Sequence, residues 1–388
     1  MNTFFADLHI HIGRTRSGKP VKITGSKSLT LKNILQEASK VKGLHLIGII
    51  DCHVPEVMDE IKDLIDQGLA YEHRNGGIRF QNLTLILGSE IEIYDENCKG
   101  PIHILIYLPT LKKMKQFSRW LSVRMKNISL SSQRIYEKGI VLQSVVKELG
   151  GLFIPAHVFT PFKSLYGRGV KQSLTEVFNP ILIDAVELGL SSNTEMADQI
   201  AELHRYPYLS NSDAHSLAKI AREYQALYME EPTFKELCFS LKGVKGRKVA
   251  ENYGLNPYLG KYYRTTCANC LTTVDKEAVC PVCQSSKVTK GVFERLAELK
   301  ANEDRKEKRP PYIHQVPLEF IPGLGPKTLD KLRDHLGTDM DILHHVPEDA
   351  IKKVVSKKVA DLIIKARSGK LELHPGGGGK YGSVKTDT

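Results

Sequence analysis

Histidine and carboxylate side chains recur at the ends of apolar segments of this sequence, where they could bind metal ions. The apolar start MNTFF runs into the segment ADLHIH, which holds Asp7, His9 and His11. Other apolar runs are followed by further residues of these types, namely Asp51 and His53, Glu90, His157, and Asp213 with His215. His103 lies at the start of one more apolar run. One histidine beside a strand is usually structural, but a core gains nothing from so many titratable rings that must each be desolvated. The set therefore predicts a metal centre, whose chemistry is the activation of water.

The ligand types restrict the ions that this centre could hold. Imidazole nitrogens and carboxylate oxygens together suit Zn²⁺, Mn²⁺, Fe²⁺ or Mg²⁺ rather than Ca²⁺. The candidate ligands also exceed what one tetrahedral ion uses. We therefore expect two or three divalent ions that share a bridging carboxylate.

The elements that must position these ligands follow an α/β pattern. Short apolar runs that look like buried parallel strands alternate with helical stretches at Ser28–Val41 and Asn193–Arg205. The runs are HLIGII, LTLIL, LFIPA, DAVEL and YPYLS. This alternation is typical of an α/β barrel or a doubly wound sheet. In α/β barrels the loops after the strands gather on one face, so ligands that are distant in sequence would converge there.

Composition and charge restrict the class of protein. With 388 residues, 41% hydrophobic and 26% charged, the chain can bury a sizeable core and should form more than one domain. The absence of a long apolar run and of a signal-peptide pattern predicts a cytoplasmic protein. The net charge is +11, and the segments Leu8–Gln36 and Leu111–Tyr136 contain basic residues but no acid. These segments favour a surface that binds a phosphate backbone, although a basic solvated face is the alternative.

The sequence changes character after residue 245. Residues 246–264 mix Gly, Pro, Asn and Tyr and are expected to be a linker. Residues 265–290 contain two Cys-x-x-Cys turns, formed by Cys267, Cys270, Cys280 and Cys283. Four thiolates close a tetrahedron around one structural Zn²⁺, so we predict a zinc ribbon. A redox disulfide pair is the alternative, and the remaining cysteines are expected to be reduced.

Residues 291–367 are predicted to form a helical domain. Residues 290–307 have a helical composition, and a second amphipathic helix begins near Lys327. Gly323, Gly325, Lys327 and Thr328 resemble a helix-hairpin-helix motif, in which main-chain amides at a helix N-terminus bind a DNA phosphate. A simple turn between helices is the alternative. Residues 368–388 form a glycine-rich tail that is expected to be flexible.

The ordered motifs DLHIH, DCH, GSEIE, PAH and NSDAH resemble those of the polymerase-and-histidinol-phosphatase (PHP) superfamily over residues 1–245. This resemblance implies a distorted seven-fold β/α barrel with three metal ions. One ion would be held by His9, His11, Glu90 and Asp213, a second by Glu90, His103 and His157, and a third by His53 and His215. Asp7 would orient the ligands. The sequence departs from the family pattern at two positions. The second motif is Asp51-Cys-His53 where the family usually has Thr-Asp-His. The segment GRTRS, which follows the first motif, has no histidine where the family often has one.

The order of PHP barrel, four-cysteine ribbon, hairpin-bearing helices and glycine-rich tail resembles the endonuclease Q family. That resemblance implies a metal-dependent DNA repair endonuclease that nicks 5′ to deaminated bases (uracil, hypoxanthine, xanthine) and to abasic sites. Metal-activated water would attack the phosphodiester, and Asp213 or a neighbouring histidine would carry the proton. The alternatives are a PHP phosphoesterase that acts on a small phosphate monoester, a different PHP nuclease, and a DNA-binding scaffold without catalysis.

Discrimination of a deaminated base requires a pocket for a base that is flipped out of the helix. Deamination replaces an amino donor by a carbonyl acceptor, so main-chain N–H groups would select the altered base. The loop FTPFKSLYGRGV follows His157, and we predict Phe162, Tyr166 and Gly167 as its pocket residues. An ordinary barrel loop is the alternative for this segment.

Overall fold

The computed structural model describes residues 1–260, 262–274, 279–300, 308–374 and 383–384. The strands are β1 Asn2–Ile10, β2 Leu46–Ile49, β3 Tyr71–Glu72, β4 Ile78–Phe80, β5 Leu83–Ile93, β6 Ile102–Leu108, β7 Arg134–Ile135, β8 Leu152–Pro155, β9 Val186–Glu187, β10 Tyr208–Leu209, β11 Tyr224–Met229, β12 Lys248–Gly254, β13 Thr266–Cys267, β14 Val288–Thr289, β15 Tyr312–His314, β16 Leu373–His374 and β17 Ser383–Val384. The α-helices are α1 Leu31–Gln36, α2 Pro55–Asp66, α3 Leu111–Ser122, α4 Gly139–Glu148, α5 Thr194–Ala197, α6 Phe234–Lys242, α7 Val292–Leu299, α8 Pro326–Leu336, α9 Glu348–Val354 and α10 Lys357–Arg367.

A central sheet runs in the order β15-β12-β11-β1-β2-β5-β4-β3, with β6 and β7 also paired to β5, and β8 paired to β6. Strands β1, β2 and β5 are parallel, whereas β6 is antiparallel to both β5 and β8. Strands β9 and β10 form a separate parallel pair. The α/β prediction is confirmed; the seven-fold closure of a barrel stays a prediction.

The middle of the sheet is buried on both faces. The side chains of β1 are buried from Phe5 to Ile10, because β2 and β11 flank the strand and apolar layers cover both of its faces. Leu8 belongs to one apolar cluster, together with Leu46 and Leu105, whereas Phe5 belongs to the other. Polar groups in this strand are therefore desolvated and must be held by protein partners or by ions.

Two predicted helices are shorter or more irregular than expected. The Ser28–Val41 prediction corresponds to α1, where the side chain of Thr30 caps the helix by accepting from the Asn33 N–H, followed by a π-helical turn at Glu37–Lys42. The Asn193–Arg205 prediction corresponds to α5 and to a separate 3₁₀ turn at Ala201–Leu203. Ile200 is extended between them and interrupts the helix.

The expected linker at residues 246–264 differs from the structure, because most of its first half is strand β12. This strand pairs with β11 in antiparallel fashion and buries Val249 and Tyr253. Strand β15, from the predicted helical domain, pairs with β12 in parallel. The central sheet therefore extends beyond the predicted boundary at residue 245.

The C-terminal helices pack against the sheet. His344, in a short π-helix at Asp341–His345, stacks on Phe5 of β1 at 4.3 Å between ring centroids. Lys42 forms a buried ion pair of 3.1 Å with Asp339. Helix α7 ends at Leu299, and residues 301–307 of the predicted helix lie outside the described residues, as does most of the predicted tail. Within the described ranges, no helix has the length and apolar character needed to cross a membrane.

Candidate metal centre

His9 and His11 leave the end of β1 with both rings fully buried. The Nδ1 of His9 lies 2.9 Å from Glu187 Oε1, and the Nδ1 of His11 lies 3.2 Å from Asp51 Oδ2. These contacts turn both Nε2 atoms toward the same carboxylate, Glu90, at 3.5 and 3.6 Å. Neither Nε2 atom has a hydrogen-bond partner within the described part of the chain. Two buried, unpartnered imidazole nitrogens beside a carboxylate form the kind of donor set that holds a divalent ion.

Glu90 is the carboxylate that joins two potential ion sites. Its Oε1 lies 2.9 Å from Nδ1 of His103 and 3.4 Å from Nε2 of His157, which come from β6 and from the loop after β8. Ligand atoms of these three residues fall within 4.8 Å of one another, and so do those of His9, His11 and Glu90. Each group has three donors, and Glu90 contributes to both. Glu90 would thus be placed to share its carboxylate between two ions.

Asp213 lies on the solvent-exposed side of the cluster, close to three of its histidines. Its Oδ1 lies 3.4 Å from His9, 3.5 Å from His11 and 3.3 Å from His215, while about a third (35%) of its side chain remains exposed. The loop that carries Asp213 reaches β1 because Ala214 forms a parallel bridge with Ile10. Asp213 has a positive φ of 45°, which costs energy for a residue with a side chain. A group that is both close to the ligands and exposed can contact substrate and water.

The electrostatics of the site favour bound cations. Burial by itself lowers the pKa of His9, but the carboxylates of Glu187, Asp213 and Glu90 outweigh it and raise this pKa to about 10. Burial raises the pKa of Asp213, but His9, His11 and His215 hold it well below its usual value. Burial also raises the pKa of Glu90, but His103 and Lys22 hold it well below its usual value. The negative potential of Asp213 and Glu90 attracts positive charge, so the residues present fit a polynuclear metal centre.

Asp51 and Asp7, two other predicted residues of the site, hold the segments that carry its ligands. Asp51 contacts His11 and accepts from the Ile12 N–H at 2.7 Å, so it fixes the first ligand segment. Asp7 accepts from the N–H groups of Ser212 at 3.1 Å and Ala221 at 2.9 Å, and burial raises its pKa to about 6. Asp7 therefore holds the loop that carries Asp213.

His53 is not part of the cluster, in contrast to the expectation that it binds a third ion. Its Nδ1 contacts the Ser89 hydroxyl at 2.8 Å and its Nε2 lies 3.4 Å from the Leu130 carbonyl, so its ring nitrogens are used by the protein. His215, its expected co-ligand, groups instead with His11 and Asp213.

Sequence reasoning missed Glu187 and Lys22. Besides its contact with His9, Glu187 accepts from the main-chain N–H of His157 at 2.8 Å. An acid inside the apolar run DAVEL was the available signal for it. The Lys22 ammonium lies 3.3 Å from Glu90 Oε2, inside the cluster. The two opposing effects on its pKa are burial, which lowers it, and the carboxylates of Glu90, Asp213 and Asp51, which raise it above its ordinary value.

Of the three predicted lesion-pocket residues, Phe162 and Gly167 lie in the wall of a second cavity, of about 470 Å³, whereas Tyr166 lies in the core. Tyr166 is fully buried, stacks on Phe159 at 5.6 Å and donates its hydroxyl to Glu202, so its ring is part of the core. A Cβ on Gly167 would lie 1.9 Å from the Thr160 carbonyl oxygen, so this glycine serves a close backbone contact. Phe162 is exposed and meets Tyr262 edge to face at 5.4 Å.

A cavity of about 460 Å³ opens beside the metal centre. Its walls include His157, Leu190, Ser191, Asp213, His215 and Tyr262. Gly189 begins one wall with a positive φ of 80°, and a Cβ there would lie 2.8 Å from that of His157. The cavity is large enough for a nucleobase, and three metal-site side chains, those of His157, Asp213 and His215, lie in its wall.

The four cysteines of the ribbon converge as predicted. The Sγ atoms of Cys267 and Cys283 lie 3.4 Å apart, as do those of Cys270 and Cys280, and none of the four is in a disulfide. Their ligand atoms lie within 4.8 Å of one another. The hydroxyl and N–H of Thr272, with other contacts, lower the pKa of Cys270 to about 6. Four converging thiols are consistent with a structural zinc site.

The glycine motif lies at the start of α8. Gly323 has a positive φ of 87°, and Gly325 is the N-cap of the helix. A Cβ on Gly325 would meet nothing within 4 Å, so its backbone is open to an incoming group. Lys327 is exposed in the first turn and Thr328 is half-buried beside it. DNA binding by these residues remains a prediction.

An α/β sheet that gathers histidines and carboxylates around one bridging glutamate defines a metal-dependent enzyme. No protein-family model matches the chain. The chain is 58% identical over 386 residues to uncharacterized protein YqxK of Bacillus subtilis, covering 99% of this chain and all of that protein. It is 37% identical over 250 residues to uncharacterized protein MJ0043 of Methanocaldococcus jannaschii, covering 58% of this chain and 31% of that protein.

Two solved structures match almost the whole chain at 32% identity and a TM-score of 0.85. One is the lesion-specific endonuclease PfuEndoQ from Pyrococcus furiosus, with 99% of this chain and 95% of that one covered. The other is endonuclease Q in complex with a 27-mer duplex that has an abasic lesion at the active site, with 99% and 96% covered. The chain belongs to the endonuclease Q family, which makes it a metal-dependent endonuclease.

Proposed function

We propose that this enzyme nicks DNA on the 5′ side of deaminated bases (uracil, hypoxanthine and xanthine) and of abasic sites. The observation that carries the proposal is the cavity of about 460 Å³ that adjoins the Glu90-centred cluster. A nuclease that acts beside one altered nucleotide needs a hydrolytic centre and a base-sized cavity in contact with each other. The solved relative that carries an abasic duplex at its active site supports the same assignment.

The cluster supplies the hydrolytic chemistry. His9, His11 and Glu90 would hold one divalent ion, and Glu90, His103 and His157 a second. Such ions neutralise the phosphodiester charge and lower the pKa of a bound water toward about 7. Asp213 is positioned to accept the proton of the attacking water, because its partly exposed carboxylate lies between the histidines and the cavity. Glu187 and Asp51 keep both ligand rings of β1 in a fixed orientation.

Selection of the base is assigned to the wall that contains Leu190 and Ser191. Within the part of the chain that the structure describes, no acceptor bonds the main-chain N–H of either residue. These donors would pair with the carbonyl that deamination creates, whereas the amino group of cytosine or adenine would face them donor to donor. An abasic nucleotide would also fit, because it has no amino group that would face these donors.

Tyr262 is proposed to cover the extruded base. Its ring lies in the cavity wall and is half-buried against Phe162. Aromatic stacking on an extruded base contributes about 1–3 kcal/mol. Tyr258 provides a control, since it is a tyrosine only four residues away that lies in the wall of a different cavity.

End-labelled duplexes with one uracil, one hypoxanthine, one abasic site or none would test this function, with Mn²⁺ or Mg²⁺ and with chelator. We expect one nick 5′ to each lesion, only with metal, and none in the unmodified duplex. Tyr262→Ala should lower cleavage of the uracil duplex by roughly tenfold or more, from the stacking energy lost, and Tyr258→Ala should not. Turnover of p-nitrophenyl phosphate without any DNA cleavage would instead indicate a monoesterase and would overturn the proposal.

A further inference from the structure

The ammonium of Lys22 occupies the inner side of the metal centre. Its Nζ lies 3.3 Å from Glu90 Oε2 and donates to the Ser132 hydroxyl at 2.7 Å. Ser132 donates in turn to the same Oε2. Only 15% of the Lys22 side chain is exposed. The two oxygens of Glu90 thus have different neighbours, since His9, His103 and His157 lie around Oε1. At Oε2, by contrast, a fixed positive charge lies beside the ring of His11.

Among the residues that the structure describes, no separate set of three ligands for a third ion lies around this charge. His53 uses its ring nitrogens on Ser89 and on the Leu130 carbonyl. The remaining three-residue group in the described part of the barrel is His11, Asp213 and His215. This group needs the Nε2 of His11, because the Nδ1 of the same ring contacts Asp51. The group formed with His9 and Glu90 also needs His11. An imidazole nitrogen has one lone pair, so His11 can serve one of these groups and not both.

We propose that the ammonium of Lys22 takes the place of a third metal ion, so that the barrel binds two divalent ions together with one built-in cation. The inference rests on the metal centre of the proposed function. Lys22 neutralises the Oε2 side of Glu90, and its charge repels a further divalent ion at a distance of a few ångströms. A covalently attached cation also stays in place when chelator removes the ions.

The number of ions can be measured without DNA. Anomalous scattering from crystals of the full chain loaded with Mn²⁺ should give two peaks inside the barrel, at the groups joined by Glu90. A third peak inside the barrel of the wild-type protein would overturn the proposal. Because this result does not depend on cleavage, a protein that binds two ions but cuts no lesion would contradict the proposed function and leave the role of Lys22 standing.

Mn²⁺ affinity supplies the second test. Lys22→Met removes the repelling charge beside Glu90, so the barrel should bind Mn²⁺ more tightly, by about tenfold or more. Lys22→Gln serves as a second neutral variant if the methionine variant does not fold, and Lys22→Arg should keep the wild-type affinity. Lys27→Met is the matched control, because Lys27 is an exposed lysine of the same acid-free segment. Unchanged or weaker Mn²⁺ binding in the folded neutral variants would refute the inference.

Discussion

The carboxylate of Glu187 is hydrogen-bonded to both His9 and His157, two candidate metal ligands that are far apart in the sequence. Its Oε1 lies 2.9 Å from Nδ1 of His9, and its Oε2 accepts from the His157 N–H at 2.8 Å. One side chain therefore sets the ring orientation of a β1 ligand and the backbone position of a ligand after β8. The geometry of the metal centre depends on a residue that binds no ion.

We expect Glu187→Gln to weaken metal binding by about 10–100-fold, because the partner of a ligating imidazole controls its orientation and basicity. Titration of the metal-free protein with Mn²⁺ measures the change. Glu195→Gln is a suitable control, since Glu195 begins a helix outside the cluster. Wild-type Mn²⁺ affinity in the Glu187 variant would show that the ring of His9 is held by other contacts.

His9→Ala and Asp213→Ala should each abolish nicking of lesion-containing duplex while the protein stays folded. The reason is that His9 supplies an unpartnered nitrogen to the cluster and Asp213 supplies its exposed carboxylate. Single-turnover cleavage and thermal melting, measured on the same preparations, separate loss of function from loss of fold. Near-normal cleavage by both variants would exclude the metal centre as the site of catalysis.

Cys280→Ala should release one zinc ion per chain and destabilise the ribbon, because binding of metal to such a site is itself folding energy. Elemental analysis after gel filtration measures the loss. Cys238→Ala is the matched control, as Cys238 is half-buried in α6 and far in sequence from the four converging thiols. An unchanged zinc content in the Cys280 variant would contradict the ribbon assignment.

Gly325→Val should weaken binding to damaged and undamaged duplex by the same factor, because a phosphate contact through main-chain amides does not read the base. Valine at this position should not disturb the packing of the protein, since a Cβ there meets no neighbouring atom within 4 Å. Gly323 is less suitable, because its φ is +87° and a Cβ would lie 2.9 Å from Val359.

Lys327→Ala should lower the salt dependence of DNA binding by about one counterion. Titrations of both duplexes at several salt concentrations measure the slope. A selective loss of affinity for the damaged duplex in either variant at α8 would show that this segment reads the lesion.

Glu223→Gln should stabilise the protein increasingly as the pH rises. Burial raises the pKa of Glu223 from an ordinary 4.5 to about 8, so the folded state retains a proton that the unfolded state loses. The wild-type protein therefore loses stability from about pH 4.5 to pH 8, by roughly 5 kcal/mol at most. Denaturation of both proteins at pH 5 and pH 8.5 tests this, and an equal difference at both pH values would contradict it.

The metal ligands were predictable because they follow a simple rule, that polar side chains at strand ends converge. His9 and His157 obey this rule, whereas Glu90 lies inside β5, three residues before its end, and the cluster contains all three. Glu187 did not stand out, because an acid within an apolar run shows its partner only when the chain is folded. Lys22 was hidden for a related reason, since a lysine in a basic segment is normally solvated.

The wrong predictions concern residues whose type suits two environments. Tyr166 belongs to a segment with the composition of a binding loop, yet an aromatic ring fills a core equally well. The linker prediction failed at β12 because strand pairing depends on distant segments, here β11 and β15, and Gly, Pro and Asn nearby only signal turns. The ring nitrogens of His53 contact the Ser89 hydroxyl and the Leu130 carbonyl, and such local contacts depend on segments that are distant in the sequence.

Strands β12 and β15 are hydrogen-bonded neighbours, although the cysteine ribbon and α7 lie between them in the chain. The ribbon is therefore an insertion between two paired strands and not an appendage at the end of a tether. A truncation that ends the chain before the ribbon also removes an edge strand of the catalytic sheet. Removal of the ribbon alone would instead require a short connection that rejoins β12 and β15, and this is the deletion that would separate the contribution of zinc from that of the sheet.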